Sequence, residues 1–206
     1  MRISRDLNLV LPVDTDSGTV YVHSAPISYE VFEKYFLVLT KTFSAIYQEG
    51  LNAIGGPRAA ALLLKRIAQQ TVGDERGTNA WDGSDGVENG LMNEIRRLTN
   101  VVMPVGSSSV VLESDPPVMA PGGWETIPFY DVINRNLLSR QDIAEVEGVV
   151  CFFIVSSACH QRKILPSFLD AMASLLDARI VPSSVSEYAR SLPTSTGGAS
   201  SGARAA

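Results

Sequence analysis

The chain has 206 residues, 45% of them hydrophobic and 19% charged, enough apolar material for one or two folding units with a real core and too much for disorder over most of its length. Its 17 basic and 22 acidic side chains leave a net charge of −5, without the basic excess that binding to phosphate backbones requires, so nucleic acid is not an expected partner. The acidity is concentrated in the middle, where residues 73–132 carry 10 acidic and 3 basic residues.

From Ile3 to Val13 the apolar residues fall mostly on odd positions, the period of two of a half-buried strand. Asp14 to Gly18 supply turn chemistry and Thr19 to His23 resume with Val20, Tyr21 and Val22, so the first 23 residues read as a β-hairpin. Ser28 is placed as a helix N-cap, and Ile27 before it can staple to Phe32. A helix is predicted from Tyr29, with Phe32, Tyr35, Phe36, Leu39, Phe43, Ile46 and Tyr47 at helical spacing and Gly50 as its left-handed cap.

Gly55, Gly56 and Pro57 read as a turn, followed by a helix from Arg58 to Val72 that is apolar nearly all round. Residues 73–90, with five glycines and five acidic residues around Trp81, read as an exposed linker. Leu91, Ile95 and Leu98 predict a short helix, Val101 to Gly123 an irregular proline-rich loop, and Trp124 to Val132 a return to helix. Ser139 with Asp142 resembles a capping box ahead of a long core helix from Arg140 to His160. Pro166 opens a further helix, a short segment from Val185 to Leu192 packs against it, and the Thr, Ser, Gly and Ala beyond Pro193 read as a disordered tail. The expected organisation is a hairpin plus two-helix module (1–72), an acidic glycine-rich linker (73–90), a helical region containing the loop at 101–123 (91–192), and the tail (193–206). The fold class this predicts is mostly α, a helical bundle with an N-terminal β-hairpin.

No catalytic or metal-binding constellation stands out. Cys151 and Cys159 on one helix would stand roughly 12 Å apart, too far for a disulfide, so reduced thiols and a cytoplasmic location are expected. Cys151, inside Val149 to Val155, reads as a small buried hydrophobe, and Cys159 lacks a second thiol at metal or redox spacing. His23 closes a strand and His160 ends a helix, where a protonated ring would suit the helix dipole. The Gly-x-Ser-x-Gly at Gly198 to Gly202 has neither the strand nor the helix of a nucleophile elbow. Gly50 to Gly55 has the glycine spacing of a phosphate loop but is followed by Gly56 and Pro57, not by Lys and Ser or Thr. Asp82 to Gly86 fails the register of a calcium loop. No cofactor or metal is therefore expected. No membrane span is expected either, because the most apolar stretch, Gly148 to Cys159, is 12 residues long, against the 18 or more of a span; Met1 to Asn8 lack the core of a signal peptide.

What remains is apolar surplus on the first two helices, which reads as core or as a docking or self-association face. The hairpin Arg2 to His23, the entry Ala25-Pro26-Ile27-Ser28-Tyr29-Glu30-Val31-Phe32-Glu33-Lys34-Tyr35-Phe36, the run Thr40 to Tyr47 and the Gly56-Pro57-Arg58 turn together resemble the tail assembly chaperones of long-tailed bacteriophages. The resemblance covers about residues 1–72. It implies a largely helical, non-enzymatic protein in the host cytoplasm that coats the tape-measure protein and delivers tail-tube subunits, here through Phe32, Tyr35, Phe36, Leu39 and Phe43. The alternatives are a virion subunit of the tail or head-to-tail connector, its hairpin extending a neighbour's sheet, and a small hydrolase or transferase built around His160 or His23.

Overall fold

A computed structural model describes residues 7–16, 18–76, 87–105, 118–120, 123–160 and 163–193. The expected strand start at Ile3, most of the linker, the loop centre, the tail and the Asp82 and Gly198 motifs lie outside them. In chain order the elements are β1 (Asn8–Thr15), β2 (Gly18–Ser24), α1 (Tyr29–Lys34), α2 (Phe36–Gln48), α3 (Asn52–Arg76), α4 (Val87–Arg97), β3 (Thr99–Pro104), β4 (Val118–Ala120), β5 (Trp124–Pro128), α5 (Phe129–Asn134), α6 (Arg140–Cys159), α7 (Leu165–Leu175), β6 (Arg179–Val181) and α8 (Val185–Ser191).

The expectation of a mostly α helical bundle is wrong. The N-terminal hairpin is present, but it lies within a six-stranded antiparallel sheet of order β4-β5-β3-β2-β1-β6, and the fold is mixed α and β. The missed strands have physical reasons. In β3, Val101, Val102 and Met103 are all buried, because the strand is covered on both faces and shows no alternation. In β5 the buried Trp124 and Ile127 run directly into the helical Phe129–Asn134, so five residues of strand read as the start of a helix. With three residues each, β4 and β6 are too short for any period to show.

Side-chain alternation sorts the sheet into two faces. Leu9 and Leu11, Val20 and Val22, Val101 and Met103, and Ile127 enter the main core beneath the helices. Val10, Tyr21, Val102 and Trp124 point the other way, where Tyr188 and Ala189 of α8 cover them. The central helix is α6, with an unbroken buried run from Val146 to Ala158, packed by α2, α3, α4, α7 and β1. Its start is the expected one, with the Ser139 and Asp142 capping box complete.

Two local departures shape the exposed surface of the N-terminal helices. The single helix expected from Tyr29 is divided at Tyr35 (φ −111°, ψ 18°) into α1 and α2. Ser28 caps α1 as expected, accepting from the Val31 amide at 3.3 Å, but Tyr35 is drawn inward, its hydroxyl filling the space a side chain at Gly90 of α4 would need. The Gly55, Gly56 and Pro57 turn is instead part of α3, which begins at Asn52. Glycine is required there by close packing: a Cβ on Gly56 would strike the Phe152 ring, and one on Gly148 would strike the Pro57 carbonyl.

Candidate protein-binding surface

Of the five residues expected to bind a partner, the structure turns three into the core and leaves one half-buried. Phe32, Tyr35 and Leu39 are 7%, 6% and 0% exposed, and Phe43 packs at the edge of the main core. Phe36 alone is open, at 52% exposure, and Tyr29 at 48% and Leu37 at 44% are exposed on the same two short helices. The buried Phe32 ring links Tyr29 and Phe36, 6.4 Å from the first and 5.6 Å edge-on from the second, so these two rings stand on a fixed base. Lys34 lies 5.0 Å above the Tyr35 ring at its border. Tyr29 and Leu37 were not among the five expected residues, although the sequence carried a signal: they lie off the helical stripe that the core takes up, and they stay about half exposed.

Phe43 belongs to a second cluster with Tyr47, His160 and Phe168. His160 stacks on Phe168 with ring centres 4.2 Å apart and meets Phe43 edge-on at 4.9 Å. Its Nδ1 lies 3.0 Å from the Ser156 carbonyl, which can only accept, so Nδ1 carries the proton and Nε2 accepts from the Tyr47 hydroxyl at 3.3 Å. Burial lowers the His160 pKa, against the raising effect of the Ser156 bond, and raises that of Tyr47. A neutral ring donating to one neighbour and accepting from the other suits both shifts. The protonated form that would suit the helix dipole is disfavoured here by burial.

His23 is held differently. Its Nε2 donates to the Ser183 carbonyl at 3.0 Å, which also receives the Asn8 amide at 3.0 Å, and Tyr188 tilts over the ring. Burial again lowers the pKa. These contacts tie β1 and β2 to the segment entering α8. Glu147, buried in α6, accepts from Arg96 of α4 at 2.9 and 2.6 Å and pairs with Lys65 of α3 at 3.4 Å, a three-helix tie in which a buried carboxylate meets two cations. Cys151 is fully buried one turn later and Cys159 partly so, and both are free thiols.

Among the described residues no three His, Cys, Asp or Glu side chains are grouped to hold a metal ion, and no helix is long and apolar enough to cross a membrane. The arrangement leaves large apolar side chains exposed at Tyr29, Phe36 and Leu37 and holds its polar ties inside. Compared with known proteins, the chain matches no family model, and no curated protein or solved structure matches it significantly.

Proposed function

We propose that this chain is a non-enzymatic protein of phage tail assembly, a tail assembly chaperone that binds the tape-measure protein and tail-tube subunits in the host cytoplasm through the face formed by Tyr29, Phe36 and Leu37. The observation that carries the reading is that face: three large apolar side chains about half exposed at one helix junction, where an isolated chain gains nothing by leaving them in water. The hairpin followed by a Ser28-capped aromatic helix supports the narrower part, through its resemblance to the phage chaperones. The six-stranded sheet departs from the largely helical architecture of that family, so the proposal rests on residues 1–72 and on the exposed face.

A virion subunit of the tail or connector is the competing reading. The hairpin-addition route to it has little edge to use, since β2 lies between β1 and β3 and β6 covers β1 at Asn8 to Val10. Quantitative mass spectrometry of tail-assembly intermediates and of purified particles separates the two. A chaperone is abundant in the intermediates and missing from mature particles; stoichiometric presence in particles contradicts the proposal.

A further inference from the structure

A cleft of about 1090 Å³ opens between the outer edge of β1 at Leu11 to Asp14, the first turns of α3, the first half of α6 and the end of α7. It shares no residue with the Tyr29, Phe36 and Leu37 face. Its origin is local. The register sets Thr15 opposite Gly18, Val13 opposite Val20 and Leu11 opposite Val22, and in a hairpin with so short a loop these pairs turn their peptide groups to each other. Val10, Pro12 and Asp14 therefore turn theirs outward. Val10 is met by Arg179 of β6, but Pro12 has no N–H to continue the ladder, and the chain swings away at Asp177, whose φ is 51°.

A strand could not extend the sheet well across that proline, so an occupant must be held by side chains. The cleft supplies them in two kinds. Ile54 and Leu175, 79% and 59% exposed, flank a lining that includes Val146 and Val149. Around these stand four carboxylates, Asp14, Asp142, Glu145 and Asp177, against one guanidinium, Arg58. Asp14 accepts from Thr19 and Asp142 from Ser139, but among the described residues none of the five charged groups forms an ion pair. The excess negative charge around an apolar centre is complementary to a segment with the opposite pattern.

We infer that this cleft receives an amphipathic helical segment of a partner protein, with leucine-like side chains on one face and lysine or arginine along its margins. The chain's own net charge of −5 disfavours a second copy as the occupant.

The test uses two fluorescent synthetic helices of about 18 residues, five turns, with one leucine pattern and either lysine or glutamate on the polar face. Each is titrated against the full chain by anisotropy, and bound amides are mapped by hydrogen exchange. The lysine helix binds, protects residues around Ile54 and Leu175, and loses affinity at least about tenfold in the Ile54→Ser/Leu175→Ser variant. Asp14→Asn/Asp177→Asn weakens it and flattens its salt dependence; Asn tolerates the backbone at 177. Phe36→Asp leaves it unchanged, which keeps this result separate from the fate of the α1–α2 face. The inference is overturned by equal binding of the two helices, by protection elsewhere, by no binding, or by a dimer in sedimentation that Ile54→Ser/Leu175→Ser dissociates.

Discussion

Cys151 sits in the middle of α6 with no exposed surface, its Sγ 3.9 Å from the Met92 sulfur. Burial, then the neighbouring Glu147 carboxylate, push its thiol up to about 12, while burial alone takes Cys159 to about 11. A thiol held so far from thiolate is a poor nucleophile. At pH 8 a thiol-specific reagent should therefore modify Cys151 only as fast as the chain unfolds, with Cys159 reacting first; fast modification of Cys151 in the folded protein would contradict its burial. The histidines set a pH dependence. Burial lowers both His23 and His160 below the ordinary 6.5, so the folded state resists a proton that the unfolded chain takes up. Their contribution is present above about pH 6.5 and is lost as pH falls through the lowered folded values. Urea midpoints measured between roughly pH 7 and pH 5 should drop less steeply in His160→Gln, which keeps an amide N–H for the Ser156 carbonyl but does not titrate. An unchanged slope would mean that His160 is not held neutral.

The helix pair α3 and α6 shows how packing overrules local preference. Alanine exceeds glycine in helix propensity by about 1 kcal/mol, so Gly148→Ala would be stabilising if α6 stood alone. In the fold the new methyl meets the Pro57 carbonyl, backbone that cannot rotate aside, and overpacking of this kind costs about 1 to 3 kcal/mol. Gly148→Ala should lower the denaturation midpoint, and a rise would show that the two helices cross farther apart. The same contact bears on one misreading: Gly56 and Pro57 have turn-forming identities, yet they lie inside α3, packed against Phe152 and Gly148 from nearly a hundred residues away. Elements written in local chemistry were legible, among them the hairpin, the Ser28 and Ser139 caps, Gly50 at φ 69° and the long core helix. Strands β3 and β5 were not, because burial on both faces in one and brevity before a helix in the other erase the alternation by which a strand is recognised.

At the scale of the whole molecule, the sheet joins segments that the sequence set apart. Strand β2 pairs with β3 and β3 with β5, while Glu147 binds α4 and α3 to α6, so residues before and after the acidic segment build one core. This joint core takes up Phe32, Tyr35 and Leu39 and leaves Phe36 outside. The exposed aromatic face was half legible for that reason: helical periodicity located the aromatic helix, but which of its aromatics face solvent is decided by α4, α6 and the sheet. Phe36→Asp should cost little stability, since the side chain is already half in water, whereas Leu39→Asp should unfold the protein by placing a charge in the core. The most direct test is capture of the tagged chain from phage-infected or induced cells, with Phe36→Asp alongside and its folding checked by circular dichroism. The wild-type chain should recover a long helical tape-measure protein, and the folded variant should lose it. Equal recovery by the folded Phe36→Asp variant, or no tape-measure protein with either, would contradict it.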